Sequence, residues 1–350
     1  MFKKTFAKLN EINSKIDYRI ACWQGHCPTV KEIEDSGVKS LASRLNGQSK
    51  EDTLTNILEW QDRNMSFWTE RHPISTILYA FLGALIFFGI VAIRVIVILA
   101  SSTTLNSVFI GTFWFVGLPL TVLITGTILT LAIIVLIIRA NRKIPLKEGF
   151  AALKRGVPIN LLLKNKLGVC RDYAKLTACL LLNIYPNTEI YFATAPSHVA
   201  TGIMIENKLY MLDQRLPILT IDKWKTYRSS KAKKIAKLVK ERIVWVDFKT
   251  FLSKNDIPEL DTKKLAQTMT KLLKIQPQAG NNETAILRIS LRKGIKLYED
   301  DEMVNYSLSR WLQSKLSMEL IEISEITKIE VISEKEDLIF LIHLGFRVFD

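Results

Sequence analysis

Two long apolar runs dominate the hydrophobic pattern of this chain, at residues 73–100 and 108–138. Arg94 is the one charged residue within them. Each run is long enough to cross a hydrocarbon core of about 30 Å, which takes about 20 helical residues. A soluble domain of this size could not bury two helices that are apolar on every side. The pattern therefore predicts a transmembrane hairpin over residues 73–139.

The charges that flank these runs predict how the hairpin is oriented. Arg63 and Arg71 precede the first run, and the connector at residues 101–107 carries no charge. Four basic residues follow the second run: Arg139, Arg142, Lys143 and Lys147. Because cytoplasmic loops are enriched in Lys and Arg, we expect a two-span protein of the cell membrane with both termini in the cytoplasm.

The segment before the hairpin, residues 1–72, is predicted to be helical. Its first residues are basic but lack the apolar core of a cleavable signal peptide, and they suit an amphipathic helix. Residues 36–68 fit two helices separated at Asn46 and Gly47, with Ser49 as the N-cap of the second. We expect this region to lead into the domain that follows the hairpin.

After the hairpin, the pattern predicts a helix and then three strands. Gly168 interrupts an apolar run, and residues 170–182 continue as a buried helix without Gly or Pro. The predicted strands are residues 188–193, 197–205 and 208–212, of which the last two form a hairpin. We assign this helix and these strands to one domain over residues 140–275.

The turn of that hairpin decides which side chains share a face. If Glu206 and Asn207 form a two-residue turn, Asp213 lies opposite Ala200, on the same face as His198. The two residues are then diagonal neighbours, about 7 Å apart at the backbone, which long side chains can bridge. A register shift of one residue would move Asp213 to the other face.

The C-terminal residues 283–350 are predicted to form a small α+β module. A linker rich in Gln, Asn and Gly precedes it at residues 276–284. The predicted elements are a strand at 284–291, an amphipathic helix at 300–320 and a hairpin of 328–333 with 338–344. His343 stands among apolar neighbours and is interpreted as a core residue.

The composition agrees with a soluble domain joined to membrane segments. The chain has 350 residues, of which 48% are hydrophobic, and a formal net charge of +14. That charge favours an anionic partner, either phospholipid or nucleic acid. A basic run at residues 223–242, with Trp224 and Tyr227, fits a solvated helix face or a contact with anionic lipid. Nucleic acid is disfavoured because no base-reading motif is recognised.

Two of the four cysteines, Cys22 and Cys27, lie close to His26. Their spacing is at the edge of that of known zinc pairs, and no second pair completes a metal site. A local disulfide is another interpretation. The spacing favours a third, that both are ordinary loop cysteines in a reducing compartment.

The candidate catalytic residues are Cys170, His198 and Asp213. A helix N-terminus and a nearby imidazolium both favour the thiolate form of a cysteine such as Cys170. Taken singly, each residue has a simpler explanation: a buried cysteine, a hydrogen-bonded sheet histidine and a turn aspartate. Asp172 also has a simpler explanation, because an acidic residue is favoured in the first turn of a helix. Together, the three would supply a nucleophile, a base and a carboxylate that orients the base.

The order of these residues resembles a known family. Gly-x-Cys-x-Asp-x-Ala-x-Leu from Gly168, then a strand, then His198 and Asp213, is similar to the transglutaminase-like superfamily of papain-type cysteine enzymes. Two upstream segments, residues 38–45 and 49–60, resemble the helices that precede the catalytic cysteine in that family. The strongest similarity is to archaeal membrane-anchored proteins with such a domain.

The resemblance implies that Cys170 is the nucleophile, His198 the base and Asp213 the orienting acid. Two departures leave the substrate class open. Ala200 stands where the family often has Trp, and Gln214 and Arg215 follow Asp213 where it often has Pro-Thr.

We therefore expect an α+β protein: a transglutaminase-like, papain-type cysteine domain with an inserted two-helix transmembrane hairpin and a small C-terminal module. The resemblance implies acyl transfer from a protein or peptide substrate through a thioester, with the backbone N–H of Cys170 as an oxyanion donor. Hydrolysis is favoured over transamidation, and neither needs a cofactor or a metal. The alternatives are a non-catalytic, membrane-tethered interaction module and a tether to lipid or nucleic acid through the basic runs.

Overall fold

The computed structural model describes most of the chain outside the two apolar runs. The described residues are 2–68, 156–196, 198–228, 234–239, 241–251, 260–272, 283–292, 300–316, 323–334 and 337–346, with isolated positions at 83, 89, 124–128 and 131. Apart from those isolated positions, the predicted spans at 73–100 and 108–138 lie outside the described residues, as does most of the predicted linker. Within the described part of the chain, no helix is both long enough and apolar enough to cross a membrane.

The described elements alternate helices and strands in an α+β order. The helices are α1 (Phe2–Trp23), α2 (Val30–Ile33), α3 (Ser36–Leu45), α4 (Lys50–Asn64), α5 (Ile159–Asn165), α6 (Cys170–Ile184), α7 (Ile221–Tyr227), α8 (Thr262–Leu272) and α9 (Glu302–Leu316), with a 3-10 helix at Phe248–Phe251. The strands are β1 (Ser66–Phe67), β2 (Leu167–Gly168), β3 (Ile190–Ala195), β4 (His198–Ile205), β5 (Lys208–Leu212), β6 (Leu219–Thr220), β7 (Lys234–Val239), β8 (Arg242–Val246), β9 (Glu283–Arg292), β10 (Ile323–Glu334) and β11 (Asp337–Phe346). This mixture of helices and strands confirms the predicted α+β class.

The helices before the apolar runs begin where their capping residues predict. The Asp35 carboxylate accepts hydrogen bonds from the backbone N–H groups of Gly37 and Val38 at the start of α3. The Ser49 hydroxyl accepts one from the Asp52 N–H, at 3.1 Å, at the start of α4. These bonds satisfy amide groups that have no partner within the helix. The predicted break between the two helices and the predicted N-cap are both confirmed.

Helix α6 packs on a six-stranded antiparallel sheet with the strand order β6-β5-β4-β3-β7-β8. It is fixed to the sheet by the Thr201 hydroxyl, which donates to the Ala174 carbonyl at 2.7 Å. Strands β4 and β5 pair from Ile205 with Lys208 to Thr201 with Leu212. The turn residues Glu206 and Asn207 have φ values of 49° and 64°, as a two-residue type I′ turn requires. The predicted turn and register are confirmed.

The parts of the chain on either side of the long apolar region fold together. Residues 1–66 and 158–350 form one compact unit, and residues 67–157 form a second, of which only scattered positions are described. Within the first unit, the Ser66 N–H donates to the Lys166 carbonyl at 2.8 Å, and the Gln61 side chain donates to Thr177 at 2.8 Å. The long apolar region is therefore an insertion within the sequence of one compact unit.

The C-terminal residues add a three-stranded sheet, with the order β10-β11-β9, and helix α9. The predicted strand, helix and hairpin are present, although the hairpin strands are longer than the sequence indicates. Their apolar side chains join the same core as the six-stranded sheet, where Val304 and Phe340 share one cluster with Leu209 and Trp224. Arg310 extends from α9 to two carboxylates of α4, at 2.8 Å from Asp52 and 2.9 Å from Glu59.

Two local predictions are wrong. Residues 223–242 are not one solvated helix face, because α7 ends at Tyr227 and strands β7 and β8 contain the later part of the run. In β7, Ile235, Ala236 and Leu238 are buried, so Lys234 and Lys237 belong to a strand between β3 and β8 and not to a solvated helix face. His343 is not a core residue. Phe340 and Ile342 point into the core, whereas the His343 side chain is 27% exposed and lies 3.5 Å from Glu330.

Candidate active site

The first turn of α6 places Cys170 at a helix N-terminus, as the sequence predicts. Cys170 is the first residue of the helix and is 7% exposed. The buried carboxylate of Asp172 accepts a hydrogen bond from the Val169 N–H at 2.9 Å, which fixes the start of the helix. Gly168 permits this tight approach, since a Cβ atom there would lie 3.0 Å from the Asp172 Cβ. Asp172 therefore positions the helix, as its first-turn location indicates.

The first residue of β4, His198, and the residue just after β5, Asp213, meet across the hairpin. The His198 Nε2 atom lies 2.6 Å from the Asp213 Oδ1 atom. The predicted diagonal contact between these two residues is therefore present. His198 also shares a side-chain hydrogen bond with Cys170. The three candidate residues thus lie together, and the imidazole contacts both the thiol and the carboxylate.

The surroundings of His198 favour its protonated form. Burial by itself lowers the pKa of His198, but the hydrogen bonds with Asp213 and Cys170 outweigh it and raise this pKa to about 9. Burial opposes ionisation of Asp213, yet hydrogen bonding to His198 and the nearby charges lower its pKa below the usual range. An imidazolium beside an ionised carboxylate is therefore the favoured state of this pair at neutral pH.

Two further residues contact Asp213, and the sequence pattern does not predict that they belong to the site. The Trp224 Nε1 atom donates to Asp213 Oδ2 at 2.8 Å, and Arg228 donates to the same oxygen from Nε at 2.9 Å and from Nη2 at 2.6 Å. Their four-residue spacing, one helical turn, places them on the same side of a helix. That spacing was visible in the sequence, but the charge of the run favoured a surface interpretation.

Cys22 lies in the last turn of α1, and Cys27 follows that helix. Among the residues that the structure describes, no group of three or more His, Cys, Asp or Glu side chains is arranged to hold a metal ion. All four cysteines are free thiols. A hydrogen bond with Cys27 lowers the pKa of Cys22, whereas burial raises the pKa of Cys27. The Cys22 thiol also donates to the Pro28 carbonyl at 3.5 Å, which fixes the end of α1 against the residues that follow it.

Comparison with known proteins places the chain in a family. A family model of the transglutaminase-like domain matches residues 36–240. The UPF0252 protein MJECL39 of Methanocaldococcus jannaschii is 26% identical over 320 residues, which cover 85% of this chain and 88% of the relative. The UPF0252 protein PH0672 of Pyrococcus horikoshii is 47% identical over 62 residues, which cover 16% of this chain and 20% of that protein. No solved structure matches.

These matches confirm the similarity to archaeal proteins and to the transglutaminase-like superfamily. The family match spans the residues on both sides of the inserted region and includes Cys170, His198 and Asp213. Because the family model matches more than half of the chain, the chain belongs to the transglutaminase-like domain family.

Proposed function

We propose that the protein is a cysteine-dependent acyl-transfer enzyme whose catalytic residues are Cys170, His198 and Asp213. The observation that carries this proposal is the position of His198, which is hydrogen-bonded to Cys170 and lies 2.6 Å from Asp213. A histidine between a thiol and a carboxylate is the arrangement that cysteine acyl transfer needs, because one ring nitrogen exchanges a proton while the other is held in place.

The first half of the reaction forms a thioester. The Cys170 sulfur, as a thiolate beside the His198 imidazolium, bonds to a carboxamide or peptide carbonyl carbon. The backbone N–H of Cys170 stabilises the oxyanion. The C–N bond then breaks, and His198 gives its proton to the departing amine.

The second half releases the acyl group. Neutral His198 takes a proton from water, or from an acceptor amine, as that molecule attacks the thioester carbon. The C–S bond breaks and restores the thiolate. Water as the acceptor gives hydrolysis, which we favour, and an amine gives transamidation.

The proposal includes a membrane location. Residues 67–157 are inserted into one compact unit, and the apolar runs at 73–100 and 108–138 are each of spanning length. The insertion would hold the catalytic domain at the cytoplasmic face of the cell membrane, where basic segments contact anionic lipid and the substrate is a protein or peptide. We expect the full chain to stay in the membrane pellet after alkaline carbonate extraction, and its release into the supernatant would contradict this part.

A nitrophenyl acyl ester tests the catalytic proposal without knowledge of the substrate. We expect a stoichiometric burst of nitrophenol, and an acyl group on Cys170 that hydroxylamine removes and peptide mapping locates. Cys170→Ala should abolish the burst, and the matched variant Cys179→Ala should retain it.

The same experiment decides the alternative of a non-catalytic interaction module. In that case, acylation would be slow and would not depend on Cys170. That result would overturn the catalytic proposal.

A further inference from the structure

The Asp213 carboxylate is held from two directions. Oδ1 faces His198, while Oδ2 accepts three N–H donors, one from Trp224 and two from Arg228. The Asp213 side chain is 10% exposed, so these partners replace nearly all of its water. A carboxylate so surrounded can neither rotate freely nor exchange its two oxygens without breaking several hydrogen bonds.

Trp224 is fixed independently of this contact. It is fully buried, belongs to the apolar cluster that also contains Leu209 and Phe340, and lies with its ring centre 6.4 Å from that of His198. Its indole N–H can only donate a hydrogen bond, so the orientation of the ring determines where a carboxylate oxygen must lie to accept that bond. Arg228 follows the last turn of α7 and is 29% exposed, and its fork-shaped guanidinium makes both bonds to the same oxygen.

We propose that Trp224 and Arg228 are positioning residues that occupy Asp213 Oδ2 so that this carboxylate presents Oδ1 alone to His198. The role rests on the proposed function, because it affects a reaction only if His198 transfers a proton. The Arg228 charge adds a second consequence. A carboxylate that is already neutralised in part by a guanidinium attracts the imidazolium proton less strongly.

The groups around His198 shift its pKa in opposite directions. The ionisable groups that face it are Cys170 from α6, Asp213 from the end of β5 and Arg228 from just beyond α7. Besides burial, which lowers the pKa of His198, the hydrogen bonds with Asp213 and Cys170 raise it and the Arg228 charge lowers it. Without Arg228, His198 would hold its proton more tightly and would be a poorer base when the thioester is resolved.

Titration of the His198 ring in the full chain, by NMR with ¹³C-labelled histidine, tests the proposal. We expect Arg228→Gln to raise the titration midpoint by about half a pH unit, which leaves about threefold less neutral imidazole at pH 7. The lifetime of the acyl group on Cys170 should lengthen by the same factor. Arg228→Lys, which keeps the charge but not the fork, should lie between the wild type and Arg228→Gln.

Arg215→Gln is the matched control. Arg215 is close to Asp213 in sequence, but its guanidinium pairs with Asp62 at 2.8 Å and is 67% exposed. This substitution removes the same charge without touching Asp213 Oδ2, and the midpoint of His198 should stay unchanged.

An unchanged or lower midpoint in folded Arg228→Gln would overturn the proposal. If that variant does not fold, Trp224→Phe replaces it, since it removes one donor from Oδ2 and keeps a buried aromatic ring. An unchanged midpoint in Trp224→Phe would then overturn the proposal. The titration needs no substrate, so a raised midpoint in a protein whose Cys170 is never acylated would contradict only the proposed enzymatic function.

Discussion

Cys170 and Cys179 lie on the same helix, and both are buried, at 7% and 0% exposure. Cys170 begins the helix, where backbone N–H groups lack intrahelical partners, and it is hydrogen-bonded to His198. Cys179 lies farther along, where burial raises the pKa of its thiol. Both thiols are therefore buried. They differ in their position on the helix and in the nature of their partners, the two features that control cysteine reactivity.

Two ion pairs beside α6 show the same contrast. Lys175, whose side chain is 2% exposed, lies 2.6 Å from Glu32 and fixes α2 against the helix. The His198–Asp213 pair has the same separation, but its imidazole is hydrogen-bonded to the Cys170 thiol. We interpret the first pair as structural and the second as catalytic. The following predictions test that division, beginning with the largest expected effect.

Glu32→Gln should destabilise the full chain by about 3–5 kcal/mol, because it leaves the Lys175 ammonium buried without its carboxylate. The midpoint of denaturant unfolding measures this loss. The rate at which iodoacetamide labels Cys170 in the folded variant should stay unchanged. Glu11→Gln, which disrupts exposed ion pairs with Lys15 and Arg242, is the control and should cost less than about 1 kcal/mol. Equal losses in the two variants would mean that the buried pair has no special structural role.

His198→Ala should slow the alkylation of Cys170 at pH 6.5 by about 100-fold, the lower end of the range for loss of a positioned proton acceptor. Peptide mapping after timed exposure to iodoacetamide measures the rate, and Cys179 should stay unreactive. The control is His343→Ala, which removes an imidazole near Glu330. A Cys170 rate within about threefold of wild type would place the imidazole outside the activation of the thiol.

The His198–Asp213 pair should stabilise the folded protein near neutral pH, and this stabilisation should be lost at both high and low pH. The folded pKa of His198 is raised to about 9, so its contribution is complete below its unfolded value of 6.5 and is lost as the pH rises through about 9. The folded pKa of Asp213 is lowered, so its contribution is complete above its unfolded value of 3.8 and is lost as the pH falls through the lower folded value. Unfolding midpoints across pH should follow this course in wild type, and Asp213→Asn should flatten both limbs.

Cys170→Ala should lower the pKa of His198 below about 9, because the hydrogen bond with the thiol is one of the contacts that raise it. Cys179→Ala should leave the His198 titration unchanged. NMR titration of the labelled imidazole distinguishes the two variants. If both variants shift the midpoint equally, the thiol at the helix start is not a specific partner of His198.

Much of the site was predictable because its signals are local. The two-residue turn at Glu206 and Asn207 sets the register that brings Asp213 to His198, and both turn residues adopt the positive φ that such a turn needs. The start of α6 is predicted because Gly168 interrupts an apolar run and residues 170–182 contain no Gly or Pro. Each of these features depends on neighbours within a few residues in the sequence.

The rest depends on contacts between distant residues, for which the sequence pattern has no signal. Arg228 was predicted to face solvent or lipid, because its contact with Asp213 exists only once α7 packs beside β5. The pairing of Arg310 with Asp52 and Glu59 likewise joins opposite ends of the chain. Charge density was misleading in residues 223–242, where the lysines of β7 lie in a strand whose residues Ile235, Ala236 and Leu238 are buried.

The most direct test of the central claim is the effect of folding on each cysteine. Iodoacetamide labelling of the full chain at pH 6.5, native and in denaturant, gives the two rates for Cys170 and for Cys179 by peptide mapping. We predict that folding accelerates the labelling of Cys170 despite its burial, because only the folded chain places the thiol beside His198, whereas folding slows the labelling of Cys179. If folding slows both to a similar degree, Cys170 is a buried structural cysteine and the catalytic account is wrong.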